Sequence, residues 1–175
     1  SITRKTNKGL PKYTPEDVFL LAGAEDLVLV LESNGTTYKR EETNYLVYRY
    51  RPRVEGLYHR IERWEDKNSG VSHWRLTDKE NVTSVFGENP QARVFDPHHE
   101  KNVFEWMIEK RYDALGNIIQ FEYKRENDQN IDPSHPWEGN RLSMQNSFNR
   151  LYPKKILYGN TVMFTDPSFE STNDW

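Results

Sequence analysis

Apolar and polar residues alternate along the central part of the chain, which is the spacing of a β-strand with one buried face. The alternation is clearest at residues 73–77 and 82–87, which flank the short polar segment 78–81. One face of the first strand carries Ser72, Trp74 and Leu76, and one face of the returning strand carries Val82, Ser84 and Phe86. The pattern predicts a β-hairpin over residues 73–87.

A second hairpin is predicted over residues 104–123, with its turn at residues 113–117. One face of the outgoing arm carries Phe104, Trp106 and Ile108. The return arm alternates in the same way, with apolar residues at every second position. Both arms therefore have the period of a strand.

The outgoing arm has a helical alternative. Apolar residues between positions 103 and 115 also recur at helical spacing, and Gly116 stands where a C-terminal cap would stand. The aromatic and β-branched content favours strands, as does the Asp-x-x-Gly-Asn turn that follows. We therefore expect strands here, although the spacing alone does not decide between the two.

The remaining segments also favour strands joined by turns. Residues 27–31 are uniformly apolar, which predicts a strand that is buried on both faces or crosses between layers. Residues 34–35 are an Asn-Gly turn, and residues 154–164 predict a last hairpin turning at residues 159–160. Residues 127–149 read as one long loop. The fold class is therefore mainly β, with antiparallel hairpins wound into a sheet or shell-like structure and little helix.

Composition excludes several classes of function. The chain has 175 residues, a formal net charge of -3 and both signs of charge interspersed, so it carries no basic field for nucleic acid or an acidic membrane. It has no cysteine, which excludes disulfides, thiolate metal sites and cysteine nucleophiles. The longest apolar run is far shorter than a membrane span. We expect no nucleic-acid partner and no membrane contact.

Two short clusters contain residue types that carry chemistry. His98, His99 and Glu100 are potential metal ligands, but adjacent side chains on an extended segment point to opposite faces. Asp132, Ser134 and His135 have the composition of a catalytic triad, yet they lie in one turn rather than on separate fixed elements. No phosphate-binding loop or nucleotide motif occurs. We therefore expect no catalytic, cofactor-binding or metal-binding residues.

The tryptophans admit two interpretations. Trp74 and Trp106 alternate with polar neighbours, which predicts burial in the core. Trp64 and Trp137 could instead present a surface for sugar rings, so a carbohydrate-binding β-domain is the alternative function. Trp137 lies in the long loop and is the candidate surface contact.

Residues 111–118, RYDALGNI, resemble one YD repeat of the Rhs class, with Tyr112, Asp113, Gly116 and Asn117 as its turn. Neighbouring segments resemble the SpvB-type N-terminal region of bacterial toxins, which is found in the B component of insecticidal Tc toxin complexes and in the Salmonella virulence-plasmid protein. The matching segments are SITRKT at 1–6, GLPKY at 9–13, DVFL at 17–20, EDLV at 25–28, YRYRPR at 48–53, HW at 73–74, FG at 86–87, AR at 92–93, DP at 96–97, Trp106 and ILYGN at 156–160.

This resemblance implies a single fragment, residues 1–175, with both ends cut from a longer chain. It implies a non-catalytic structural module of a secreted toxin complex, part of a β-shell that encloses and delivers a toxic enzyme. The implied partners are the rest of its own chain, an A-type pore component and a C-type Rhs partner. The ADP-ribosyltransferase of the virulence-plasmid protein needs a Glu-x-Glu pair and a Ser-Thr-Ser strand, and this chain has neither.

Overall fold

The computed structural model of the chain describes residues 1–6, 9–54, 56, 58–127, 129–132, 134–139 and 149–166. Within these ranges the chain forms one sheet of thirteen strands, all paired antiparallel, and two short 3-10 helices at Pro90–Ala92 and Pro136–Glu138. The strands are β1 Ile2–Arg4, β2 Phe19–Leu21, β3 Glu25–Leu29, β4 Lys39–Glu41, β5 Tyr45–Pro52, β6 Arg60–Asp66, β7 Ser72–Thr77, β8 Thr83–Phe86, β9 Arg93–Asp96, β10 His99–Trp106, β11 Ile108–Tyr112, β12 Ile118–Arg125 and β13 Leu151–Leu157. The predicted fold class, mainly β with little helix, is confirmed.

The strand order across the sheet is β13-β12-β11-β8-β7-β6-β5-β3-β2-β1-β10-β9, and β4 pairs with β5 off this path. Strands that follow one another in the chain are mostly neighbours, as hairpin connections require. The exception is the pair β9 and β10. After β8 the chain crosses to the other side of the sheet, where β10 pairs with β1, and it then returns so that β11 pairs with β8. The sheet is open, with β13 at one edge and β9 at the other.

One face of the sheet forms the hydrophobic core and is called the core face. Its centre is an aromatic cluster in which the Phe19 and Trp74 ring centroids lie 4.9 Å apart, and those of Trp74 and Trp106 lie 5.9 Å apart. Trp74 and Trp106 are fully buried, as their alternation with polar residues predicted. The Trp106 Nε1 donates a hydrogen bond to the Ser72 carbonyl at 2.6 Å, which ties β10 to β7 although the two strands are not neighbours in the sheet.

The first predicted hairpin is confirmed as β7 and β8. Trp74 pairs with Phe86 and Leu76 pairs with Ser84, so the predicted faces are correct. The turn is stabilised by the Asp78 carboxylate, which accepts hydrogen bonds from the backbone amides of Glu80 and Val82.

The second predicted hairpin is confirmed only in its inner half. β11 and β12 pair around the turn at residues 113–117, but the outgoing arm is divided at Met107 into two strands with different neighbours. β10 pairs with β1 and β9, whereas β11 pairs with β8. The helical alternative is wrong, because both segments are extended.

The predicted face of the outgoing arm is also wrong in part. The core contains Val103 and Trp106, three residues apart, with Phe104 only half-buried. A register shift between Val103 and Glu105 on β10 is the reason, since a bulge inserts an extra residue and reverses the alternation on one side of it.

Two further expectations need correction. Residues 154–164 do not form a hairpin: β13 pairs with β12, and residues 158–166 contain no strand. In the apolar run 27–31 only Leu27 is buried, and Leu31, which forms an isolated β-bridge with Thr37 beyond the end of β3, is 55% exposed. The long loop is confirmed for its described residues, which hold one 3-10 turn between β12 and β13 and no strand. Positions 128, 133 and 140–148 of that loop lie outside the described residues.

Candidate functional site

The turn between β11 and β12 is built by one carboxylate and one glycine. The Asp113 side chain accepts hydrogen bonds from the backbone amides of Leu115 at 2.9 Å and Asn117 at 3.0 Å, and from the Asn117 side-chain amide at 2.8 Å. These bonds, led by the Asn117 side chain, lower the pKa of Asp113 below its usual value. Gly116 has φ 79°, which a residue with a Cβ adopts only at a cost. The residue types at these positions are therefore explained by the turn itself.

The segment 158–166 lies against this turn. The Asn160 side chain donates to the Gly116 carbonyl at 2.8 Å and accepts from the Ile118 amide at 3.0 Å. The Phe164 amide donates to the same Gly116 carbonyl at 3.0 Å. A Cβ at Gly116 would overlap Met163 Cγ and approach the Phe164 backbone. Residues 112–117 are thus a docking site for a segment about 45 residues further along the chain, as the separation of 44 between Asn160 and Gly116 shows.

Beyond the turn, the docked segment reaches a polar cluster on the face of the sheet opposite the core face, here called the second face. The Asp166 carboxylate accepts hydrogen bonds from Arg75 Nη1 at 3.1 Å and from the Tyr112 hydroxyl. The Asp166 side chain is 1% exposed and the Arg75 side chain 8%. Burial, together with the nearby Asp166 carboxylate, raises the pKa of Tyr112 well above its ordinary value. This hydroxyl therefore stays protonated and acts as a donor.

His73 lies beside Arg75 in the same cluster. Its Nε2 accepts a hydrogen bond from Arg75 Nε at 3.4 Å, and its ring stacks on Trp64 with centroids 6.0 Å apart. Burial, reinforced by the positive charge of Arg75, lowers the pKa of His73 to about 3. A neutral imidazole is then the stable form throughout the physiological range.

The polar cluster is assembled from residues that sequence patterns do not link. Arg75 and Asp166 are 91 positions apart, and Asp166 belongs to no strand. Alternation along β7 places Arg75 away from Trp74 but does not show that the second face is buried as well. Sequence reasoning therefore missed Arg75 and Asp166. Their partners include one another, Tyr112, His73 and Glu88, which is the arrangement of a structural anchor.

The two sequence clusters with catalytic or ligand residue types are both exposed. His98, His99 and Glu100 lie at the start of β10, and Asp132, Ser134 and His135 lie in the long loop. His99 Nδ1 lies 3.0 Å from Asp96 Oδ2, and His135 Nε2 lies 3.7 Å from Asp132 Oδ2. Ser134 donates its backbone amide to Asp132 at 2.9 Å. In the part of the chain that the structure describes, no group of three or more His, Cys, Asp or Glu side chains could hold a metal ion. The same part contains no helix long and apolar enough to cross a membrane.

The tryptophans proposed for sugar binding differ in exposure. Trp64 is buried under the Arg75 guanidinium, whose carbon lies 4.3 Å from the ring centroid, so it offers no surface for a ligand. Trp137 is 71% exposed and stacks on His135 with centroids 4.5 Å apart and the rings nearly parallel. Its contact with an outside molecule remains a prediction.

The edge strand β13 is the most exposed strand of the sheet, with six of its seven residues exposed. Ile156 and Leu157 are 55% and 44% exposed, and because they are consecutive they face opposite sides of the sheet. Tyr152 and Tyr158 are also exposed. Among the described residues, only β12 pairs with β13, so its outer edge offers backbone hydrogen-bonding groups to another strand.

Comparisons with known proteins place this fold among bacterial toxins. The family model described as "Salmonella virulence plasmid 65kDa B protein" matches residues 1–175. The mono(ADP-ribosyl)transferase SpvB of Salmonella typhimurium is 30% identical over 175 residues, covering 95% of this chain and 29% of that protein. The chain thus spans less than a third of the length of this curated relative.

Solved structures show the same likeness. The N-terminal domain of the effector protein SpvB from Salmonella typhimurium strain LT2 superposes with a TM-score of 0.83 at 27% identity, over 94% of this chain and 53% of that one. A chain of the Photorhabdus luminescens Tc holotoxin pore superposes with a TM-score of 0.82 at 25% identity, over 99% of this chain and 8% of that one. The similarity therefore covers nearly the whole chain but only a small part of the larger toxin.

Proposed function

The chain belongs to the family of the Salmonella virulence plasmid 65 kDa B protein, and from this premise we propose that it is a non-catalytic structural module of a secreted bacterial toxin. In this role the sheet forms part of a β-shell that encloses and delivers a toxic enzyme. The similar solved structures are an effector's N-terminal domain and a Tc holotoxin pore, which supports a role within a toxin assembly.

The edge strand β13 is the observation that carries this proposal. An unprotected strand edge pairs readily with another strand, and proteins that do not use such an edge usually block it with charge, proline or a cover. β13 has Pro153 and two lysines among its first five residues, whereas its last two residues are Ile156 and Leu157, both exposed. This unblocked end of the strand fits a strand contributed by a neighbouring part of a larger assembly.

The polar groups of the second face support the same role. Arg75 on β7 and Tyr112 on β11 both bond Asp166, so they hold in place the docked segment 158–166, which directly follows β13 in the chain. A rigid edge favours association, because less conformational entropy is lost when a partner binds. The polar cluster thus supports assembly by holding the docked segment in place, and not by carrying out a chemical step.

The partners that we propose follow from the larger toxins. They are the rest of the protein's own chain, then an A-type pore component and a C-type Rhs partner, with the assembled complex secreted by a bacterium. The ADP-ribosyltransferase activity in the name of the Salmonella relative is not carried over. The structural likeness is to that effector's N-terminal domain, and the Glu-x-Glu pair of the transferase does not occur in this sequence.

The test is to replace His98, His99, Glu100, Asp132 and His135 one at a time in the full toxin and to measure cell killing with its partners present. Because these side chains form the two clusters of catalytic or ligand type that the sequence analysis identified, a structural module predicts that every variant kills normally. Loss of killing by one variant whose complex still assembles and whose enzyme cargo remains active would require a chemical role for that residue.

A further inference from the structure

A cavity of about 260 Å³ opens at the margin of the core face, among β1, β6, β7, β10 and the segment that leads from β1 to β2. Its wall combines strand residues such as Arg63 and Lys101 with Tyr13 of that segment. The volume is slightly below the usual range of small-molecule sites, so the cavity has room for a ligand the size of an amino acid. None of the described residues that line it belongs to the polar cluster or to β13, so the cavity is separate from the features that support assembly.

Arg63 is held firmly in the wall of this cavity and has an unused donor. It pairs with Trp74 across β6 and β7, so its side chain projects from the core face. Its guanidinium carbon lies 4.8 Å from the centroid of the Tyr48 ring, and its Nη2 donates to Glu65 Oε2 at 3.1 Å. The Nε is buried and has no hydrogen-bond partner among the described residues. A buried donor without a partner is costly, and an acceptor supplied by a ligand would remove that cost.

Lys101 and Asn102 add two further donors from β10. Consecutive residues of a regular strand point to opposite faces, but the register between β9 and β10 is shifted between His99 and Val103. This irregularity breaks the alternation, which explains why Lys101 and Asn102 both line the cavity. Neither side chain forms a hydrogen bond or an ion pair within the described part of the chain. Their ammonium and amide groups are therefore available to a ligand.

The cavity also presents a negative group. Glu65 follows Arg63 by two positions on β6, so the two side chains share a face. Arg63 bonds the Oε2 atom of Glu65, which leaves Oε1 without a partner among the described residues. A plain anion would be repelled by this carboxylate, whereas a ligand that carries a positive group beside its negative group is attracted at both ends. The wall therefore suits a zwitterion.

Tyr13 provides an apolar surface beside these charges. It is 37% exposed and has φ 57°, a conformation that bulky residues rarely adopt and that is concentrated at ligand sites. The Arg4 guanidinium carbon lies 5.0 Å from the centroid of the Tyr13 ring. Arg4 also donates to Asp17 Oδ2 and to the Val103 carbonyl, both at 2.8 Å. Arg4 therefore holds the ring in place, and the exposed part of the ring can contact an apolar group of a ligand.

We propose that this cavity binds a free α-amino acid with an aliphatic side chain. Lys101, Asn102 and the Nε of Arg63 hold the carboxylate. Glu65 Oε1 accepts a hydrogen bond from the ammonium group, and Tyr13 contacts the side chain. Charge-assisted hydrogen bonds at both ends of the ligand are stronger than neutral ones, and together they fix its orientation. This ligand site is additional to the structural role and does not depend on it.

Isothermal titration calorimetry of the protein at about 0.15 M salt tests the site with four probes. These are leucine, N-acetylleucine, which lacks the ammonium group, leucinamide, which lacks the carboxylate, and acetate. Leucine is expected to bind, and the other three are expected to bind about tenfold or more weakly, because each lacks charge-assisted hydrogen bonds. Absence of leucine binding would overturn the site. Equal affinity for leucine and N-acetylleucine would overturn the role of Glu65, and equal affinity for leucine and leucinamide would overturn the carboxylate contacts.

Two variants assign the two ends of the ligand. Lys101→Gln is expected to weaken leucine binding about tenfold but to leave leucinamide unchanged, because only leucine offers a carboxylate to Lys101. Glu65→Gln is expected to weaken leucine binding but to leave N-acetylleucine unchanged. The opposite pattern for either variant would contradict the proposed orientation. Because Lys101 is exposed and has no partner among the described residues, Lys101→Gln should keep the normal melting temperature, so its loss of affinity arises from binding.

Lys124→Gln is the matched control. Lys124 is also an exposed lysine without an ion pair among the described residues, but it lies on β12 and does not line the cavity. The replacement removes the same charge and should leave leucine binding unchanged. Equal weakening by Lys101→Gln and Lys124→Gln would overturn the site in favour of general charge attraction.

Discussion

The buried Arg75–Asp166 pair allows the sharpest prediction about stability. Asp166→Ala removes the carboxylate that holds Arg75 Nη1 at 3.1 Å and also binds the Tyr112 hydroxyl. Removing one partner of a buried ion pair costs about 3–5 kcal/mol, because the remaining charge stays buried without compensation. Arg75 retains Glu88 Oε1 at 3.5 Å and the face of Trp64. We therefore expect a loss near the lower limit, about 3 kcal/mol.

The assay is urea unfolding followed by tryptophan fluorescence, with free energies obtained by linear extrapolation. Glu80→Ala is the control, since Glu80 forms an exposed pair with Lys79, and its loss should change the free energy of unfolding by less than about 1 kcal/mol. The double variant Arg75→Met with Asp166→Leu should lose less than Asp166→Ala alone, because no charge is left unpaired. If Asp166→Ala matched Glu80→Ala, the burial of this pair and the anchoring of residues 158–166 would both be refuted.

Three further predictions concern the two faces and the turn. Trp74→Ala and Trp106→Ala should each cost roughly 3–5 kcal/mol of unfolding free energy, and a normal melting temperature for both would mean that the faces are assigned backwards. Because the pKa of His73 is lowered to about 3 in the folded state, the unfolded state binds a proton first as the pH falls below about 6.5. The free energy of unfolding should therefore fall by up to about 1.4 kcal/mol per pH unit in that range. In parallel urea titrations, the free energy of unfolding of His73→Gln should depend less on pH between about 6.5 and 5. Gly116→Ala should lower the free energy of unfolding by at least about 1–2 kcal/mol, since it adds a Cβ at positive φ and against Met163. Gly35→Ala is the control, because Gly35 also has positive φ, 80°, but has open space around it. The difference between the two variants separates the backbone strain from the loss of the docked segment.

Local pattern predicted those parts of the fold that neighbouring residues determine. Trp74 and Leu76 alternate with polar residues, so the first hairpin and its buried face followed directly. The Asp-x-x-Gly-Asn turn was likewise readable, because Asp113 and Gly116 act within five residues. Where alternation continues while the chain changes its partner, as at Met107 between β10 and β11, the sequence contains no signal.

The rest of the structure depends on contacts between distant residues. The bulge that places Val103 and Trp106 together in the core is set by pairing with β9, and a period of two cannot show it. The polar cluster needs Asp166 to reach β7, a separation of 91 residues. Sequence therefore predicted the hairpins and missed the polar cluster built between them.

Hydrogen exchange in β13 tests the proposed assembly role most directly. Exchange is measured by mass spectrometry on peptides that cover residues 151–157, in the isolated chain and in the same chain within the assembled toxin complex. If the open edge pairs with a strand of the assembly, these amides should exchange markedly more slowly in the complex, while peptides from the buried strand β7 should change little. Equal exchange of residues 151–157 in both states would contradict the account, because the β13 edge would then remain unpaired where the proposal requires it to be used.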